Sequence, residues 1–174
     1  MSDELNQAAT GQESAPVSLS TVEYIAKNLV RGKLMAVDYG DVRTGVAFSD
    51  EGQTMAFGQS TISPGAQRKT VLELSKLARE NKAVAVVVGN PINMDGSHGP
   101  RSQKMKDFAL MLARRIHPIP VALFDERMTT MVAARYLNET NTRGQKRKAV
   151  IDTLSAQIIL QNALDRIKSL RERP

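Results

Sequence analysis

The sequence predicts an α/β domain in which a mixed β-sheet is covered by helices, and three observations predict it. Three strand-like runs come first, in succession. Helical and strand-like segments then alternate through the second half of the chain. Between the two lies Ala83–Gly89 (AVAVVVG), a continuous apolar run of the kind that forms a central strand buried on both faces.

Taken in order, residues 1–17 (MSDELNQAATGQESAPV) are small, polar and poor in aliphatics, so no fixed structure is expected there. Ser20 to Glu23 (STVE) reads as a capping box. Val22, Ile25 and Leu29 follow at helical spacing and Gly32 is a stop, which predicts a short helix over 20–31. Leu34–Asp38 and Thr44–Ser49 are strand-like runs joined by the tight connection Tyr39–Arg43, so a hairpin is expected, with a third strand over Thr54–Ser60. Ala66–Asn81 is amphipathic, with Val71, Leu74, Leu77 and Ala78 along one face. After the Ala83–Gly89 strand, Asn90–Pro100 (NPINMDGSHGP) is loop chemistry with a turn at Asp95-Gly96. A helix over Arg101–Ile116, a strand over Pro120–Asp125, a helix over Thr129–Glu139 and a last helix over about Ala149–Arg171 complete the chain. The basic segment Arg143–Lys148 separates the last two helices. The expected division is an N-terminal extension, 1–32, and one domain, 33–174.

Composition narrows the function. The 174 residues contain no cysteine, which excludes disulfides, thiolate metal sites and cysteine nucleophiles and fits a reducing cytoplasm. No apolar stretch approaches the roughly 20 residues of a membrane helix. The acidic start, Asp3 and Glu4, lacks the apolar segment of a secretory signal, so a cytoplasmic protein with no membrane partner is expected. The 24 Lys and Arg exceed the 18 Asp and Glu, giving a net charge of +6, a balance that suits a phosphate-rich polymer.

Three acidic positions stand out. Asp38 ends an apolar strand, where a carboxylate is costly to bury unless it faces solvent or a cation; an Asp before a loop glycine is also an ordinary structural cap. Asp125-Glu126-Arg127 follows the strand PVALF at its carboxyl end, where open α/β sheets gather ligand sites; one of the acids could equally cap the next helix. Asp152 lies beside the stripe Ile151, Leu154 and Ile158. The small Ser155 and Ala156 would let that helix approach the sheet, and an exposed Asp near a helix N-terminus is the plain alternative. Carboxylates from separate segments do not converge without a counter-charge. A divalent cation removes the conflict, and oxygen ligands suit Mg²⁺ or Mn²⁺. Asn93, Ser97 and Arg101 of the following loop and helix, together with Arg43, Arg127, Lys146, Arg147 and Lys148, are candidate contacts to nucleic acid. His98 reads more simply as a surface loop residue than as a proton shuttle.

Four segments resemble one family, in family order: VDYGDVRTGVAFSD (37–50), VVVGNPINMDGSHGPRS (86–102), FDERMTT (124–130) and KRKAVIDTLSAQIIL (146–160). They are similar to the YqgF family of Holliday-junction-resolvase-like proteins, the bacterial pre-16S rRNA nucleases, over about Lys33 to Leu170. The resemblance implies an RNase H-like fold with five strands, the first three antiparallel. It also implies a role in trimming the 5′ end of the 16S rRNA precursor. It matches Asp38 to the first-strand aspartate that bridges the metals and Asp152 to the acid of the last helix, and it draws the remaining acid from Asp125-Glu126, with Glu126 favoured. Asn90 departs from the pattern, standing where the family usually has an aliphatic residue, and Asp41 and Thr44 replace more usual choices in the first turn.

Three other readings compete. Asp38-Tyr39-Gly40 with Thr44-Gly45 also resembles the first phosphate loop of actin-like ATPases and sugar kinases, but those need two such domains and this chain has room for one. A non-catalytic nucleic-acid-binding or ribosome-assembly module would keep the basic surface and use the acids structurally. Resolution of branched DNA, a Holliday junction, calls for a two-fold homodimer presenting two sites.

Overall fold

The computed structural model describes residues 16–63, 65–128 and 145–173, with Met128 and residues 145–152 described by backbone alone. Its elements are α1 (Val22–Asn28), β1 (Leu34–Tyr39), β2 (Thr44–Ser49), β3 (Ala56–Ile62), α2 (Gln67–Glu80), β4 (Ala85–Asn90), α3 (Pro100–Ile116), β5 (Val121–Asp125), a 3₁₀ turn (Glu126–Met128) and α4 (Gln145–Arg171). The expected helix over Thr129–Glu139 and the expectation for residues 1–15 lie outside the described residues.

The five strands lie in the order β3-β2-β1-β4-β5. β1 pairs antiparallel with β2, and β2 antiparallel with β3, while β4 runs parallel to both β1 and β5. This is the RNase H-like arrangement that the resemblance implies. Strand alternation divides the core in two. Leu34 and Ala36 of β1, with Ala85 and Val87 of β4, face the layer of α1 and α4. Met35 and Val37, with Val86 and Val88, face the layer of α2 and α3. β1 and β4 are central strands, which is why their apolar runs are continuous.

On the α4 side the sheet is paved with small residues, Ala36, Ala47, Ala56, Ala85 and Ala122, so the helix approaches closely. Ala156 is fully buried at the contact. A Cβ added to Gly58 would run into Thr153 of α4, so this glycine is required by close approach. Both edges of the sheet are guarded. At β3, Gln161 accepts from the Ala56 amide (3.0 Å) and Gln157 donates to its carbonyl (2.9 Å), while a bulge places Gln59 opposite no partner between Val46 and Ala47. At β5, the Ser20 amide donates to Val121 (2.8 Å), forming a single parallel bridge.

Several boundaries differ from the expectations, each for a local reason. Thr21, not Ser20, caps α1 and accepts from the Tyr24 amide (3.1 Å), because the Ser20 backbone is engaged with β5. The helix ends at Asn28 rather than residue 31. Its last carbonyls are taken instead by Arg171, which donates to Ala26 and Leu29, and by Gln53, which donates to Leu29 and Gly32. β3 starts at Ala56 because the Asp50 carboxylate captures the amides of Thr54 and Met55 (2.7 and 2.8 Å). β4 gains Asn90 by pairing with Asp125. α4 begins at Gln145, so Lys146, Arg147 and Lys148 lie within the helix backbone and not before it.

Ile25 of α1 is fully buried with Leu160, Leu164 and Ile167. Truncating it leaves a cavity in a packed core, so Ile25→Ala is expected to cost about 2–5 kcal/mol. Urea unfolding checks this: one cooperative transition at a lower midpoint is expected, and a loss under about 1 kcal/mol would show that α1 is not part of the cooperative unit.

Candidate active site

The carboxyl ends of β1, β4 and β5 lie side by side, and strand alternation decides which side chains meet there. Asp38 is in step with Leu34 and Ala36, so it belongs to the α1–α4 face. Gly89 is in step with Ala85 and Val87 and is one position beyond the Val37–Val88 pair, so it sits beside Asp38. Asp125 is in step with Val121 and Leu123 and therefore belongs to the opposite, α2–α3 face. Glu126 leaves the strand in the 3₁₀ turn and lays its side chain back over Gly89. A Cβ at Gly89 would collide with Oε1 of Glu126, and would come 3.2 Å from its Cδ and 2.7 Å from Cδ1 of Ile159. The glycine is the space in which the carboxylate lies.

The electrostatics follow from this placement. Burial pushes the Glu126 carboxyl up from 4.5 to about 7, and the neighbouring charge of Asp38 pushes in the same direction. Arg101, in the first turn of α3, partly offsets the rise, and Asp125 adds to it. Asp125 is in the opposite state. The Arg127 guanidinium and backbone amide donate four hydrogen bonds to its two oxygens (2.5–3.1 Å) and hold it below the usual carboxylate range. The two adjacent acids thus differ in role by geometry: Glu126 is desolvated beside Asp38, and Asp125 is ion-paired on the other face. Arg127 is spent largely on Asp125, and its charge also acts on Asp95 of the loop.

That loop is internally fixed. The expected turn is present, closed by the Gly96 amide on the Asn93 carbonyl (2.8 Å). Gly96 holds φ +84°, a conformation that suits glycine. Asn93 donates to Ser97 Oγ (2.9 Å), and Asp95 accepts from the Ser97 amide (2.8 Å). His98 Nδ1 lies 2.8 Å from the buried Ser102 Oγ, on the Asp125 side. Asn90, at the root of the loop, is 4% exposed, and among the described residues its Oδ1 has no hydrogen-bond partner. An aliphatic side chain would avoid that cost.

Of the other expected residues, Arg43 closes the β1–β2 turn at the same sheet end, its carbonyl accepting from Gly40 (3.0 Å). Arg101 is exposed on α3. The side chains of Asp152, Lys146, Arg147 and Lys148 lie outside the described residues; the backbone places Asp152 one residue before Thr153, which rests on Gly58. Among the described residues no group of three or more His, Asp and Glu is placed to hold a metal ion. Asp38 and Glu126 are the two carboxylates that the fold brings together at this corner. Sequence reasoning missed Gly89 and Tyr39. Tyr39 stacks on Phe108 of α3 (4.0 Å between centroids) and fixes the end of β1 next to Asp38. Asp41, left open by the sequence, pairs with Lys104.

A family model described as "RuvX: Holliday junction resolvase" matches residues 32–166. A Bradyrhizobium sp. protein named "Putative pre-16S rRNA nuclease" is 40% identical over 157 residues, covering 90% of this chain and 96% of that one. A protein of the same name from Ruminiclostridium cellulolyticum is 39% identical over 136 residues, covering 78% and 95%. Thermus thermophilus RuvC in complex with a Holliday junction substrate overlays with a TM-score of 0.49 at 11% identity, covering 80% of this chain and 97% of that one. With the family match running from Gly32 into the last helix, the chain belongs to the RuvX family.

Proposed function

We propose that this chain is a cytoplasmic, metal-dependent nuclease that trims the 5′ end of the 16S rRNA precursor, acting at Asp38, Glu126 and Asp152. The observation that carries the reading is the Glu126 carboxylate lying over Gly89 beside Asp38. Two carboxylates in a desolvated corner repel each other, and an all-oxygen donor set suits a hard divalent cation, so the residues present fit Mg²⁺ or Mn²⁺. Asp38 and Glu126, with Asp152 as the third ligand, would hold it, and Asp125 stays with Arg127. Bound there, a pair of such ions would supply an activated water and charge stabilisation at the leaving oxygen. The chain's own residues do the rest. Asp38 at the end of β1 and Glu126 in the turn after β5 fix the position of the site. Arg101 and Arg43 offer cations to the phosphates on either side, and the braced loop 93–97 walls the cleft. The curated relatives' names support RNA as the substrate. Among the described residues no helix is long and apolar enough to cross a membrane.

Branched DNA is the second reading, favoured by the description of the family model. It would require a homodimer to cut two symmetric strands.

Cleavage assays on 16S-precursor RNA, single-stranded RNA and a four-way DNA junction separate these readings. Metal-dependent cutting, abolished by EDTA, is expected to fall at least about 100-fold in Asp38→Asn and in Glu126→Gln. Asp125→Asn is expected to keep most of the activity. Equal losses at Asp125 and Glu126 would contradict the division of roles, and uncut RNA with a resolved junction would favour the second reading. The products should carry 5′-phosphate and 3′-hydroxyl ends; 2′,3′-cyclic phosphates would exclude the mechanism.

A pH dependence follows from Glu126. Its folded pKa of about 7 lies above the ordinary 4.5, so the folded state holds the proton more tightly than the unfolded chain. The resulting stability is full below pH 4.5 and is lost as pH rises through 7. Thermal melting of the metal-free protein should therefore show a fall in Tm between pH 5 and 7.5 that Glu126→Gln removes. Added Mg²⁺ should stabilise more at pH 8 than at pH 5, because the ligand must be deprotonated. A pH-independent Mg²⁺ effect would contradict this.

A further inference from the structure

The net charge of the chain is not spread evenly. Residues 66–117, which hold α2, β4 and α3, contain ten Lys and Arg against four Asp and Glu, a net of +6. The remaining residues contain fourteen of each sign, a net of zero. All ten cations are exposed, and α2 and α3 pack together on one face of the sheet, so the excess charge forms a single surface.

The topology sets its direction. Both helices start at the carboxyl ends of parallel strands, where the candidate site lies, and run to the opposite end of the sheet. Arg68, Lys69, Arg101 and Lys104 occupy the site end, with Lys104 partly neutralised by Asp41. Lys76, Arg79, Lys82, Arg114 and Arg115 occupy the far end against Glu80 alone. Arg79 donates to the Arg115 carbonyl (3.0 Å), which holds the two helix ends together. The helix dipoles favour cations at the far end, but not at the site end, where neither first turn contains an acid. Helix stability therefore accounts for the cations at the far end but not for those at the site end.

We propose that the outer face of α2 and α3 is a second nucleic-acid contact surface, which takes the phosphodiester backbone of the substrate beyond the cleavage site. It binds without regard to sequence, since Lys and Arg to phosphate is its chemistry. α3 has 17 residues and is about 25 Å long, or about seven phosphate spacings of a single strand. Substrates that cover only the cleft do not reach the far end. The proposal takes the identity of the polyanion from the nuclease reading, but its test does not need cleavage.

The test measures binding in EDTA of a 5-nucleotide and a 30-nucleotide RNA, and a 30-nucleotide DNA, across a salt series. The variants are Lys76→Gln/Arg114→Gln on this face and Lys27→Gln/Lys168→Gln on the α1–α4 layer, which makes the same change in charge. For the long strands, the first pair should reduce the slope of log affinity against log salt by about 1.4, at about 0.7 per phosphate contact, with urea midpoints unchanged. The second pair, and the short RNA with either pair, should show no change. Equal slope losses from both pairs would reduce the effect to net charge and overturn the proposal. So would unchanged long-strand binding, or a variant effect seen on phosphatidylserine vesicles and not on nucleic acid. Binding that behaves as stated in a protein that cuts nothing would instead sink the nuclease reading and leave this surface standing.

Discussion

The structure turns on one arrangement: a half-buried glutamate laid across a glycine beside an aspartate on the neighbouring strand. Two carboxylates at close range in a desolvated corner are unfavourable together, and Arg101 offsets this only in part at Glu126. Arg127 is adjacent in sequence and goes to Asp125 instead. The chain thus places the Asp125–Arg127 ion pair on one face of the sheet and brings two carboxylates together on the other. The parallel pairing of β1 and β4, the bare backbone of Gly89 and the approach of α4 through Ile159 all serve to hold those two carboxylates in place.

The surroundings are built to keep the corner rigid. Tyr39 stacked on Phe108 pins the end of β1 to α3, and the small residues under α4 let that helix lie close to the sheet. At the other end, Arg171 and Gln53 gather the last carbonyls of α1, so the first and last described helices are tied to the β2–β3 hairpin by the same few hydrogen bonds. A site that depends on preorganised charge tolerates little play in its strands, and these fastenings supply the stiffness. The loop 91–99 is braced by its own turn, and Asp95 within it lies in the field of Arg127.

Much of this was legible in the sequence. Apolar runs located all five strands, and their order gave the mixed sheet. The four family motifs pointed to Asp38 and to Glu126. Which of Asp125 and Glu126 faces Asp38 stayed open until the strand pairing put Asp125 with Val121 and Leu123 and Asp38 with Leu34 and Ala36. What could not be read were the features set by tertiary contacts. The ends of α1 and β3 depend on side chains distant in sequence or on a carboxylate that competes for backbone amides: Arg171, Gln53 and Asp50. The role of Gly89 depends on a side chain 37 positions later. The asymmetry of charge was present in the sequence, but it acquired a meaning when α2 and α3 fell on one face.

The most direct test of the central claim, that Asp38 and Glu126 form one cation site, is to locate a paramagnetic ion. Mn²⁺ titrated into isotopically labelled protein at pH 8 should first broaden the amide signals of Asp38, Gly89 and Glu126, and this selectivity should vanish in Glu126→Gln. Broadening that centres on another carboxylate, such as Asp50, or that spreads evenly over the acidic residues, would show that the two carboxylates do not share a cation and would contradict the account.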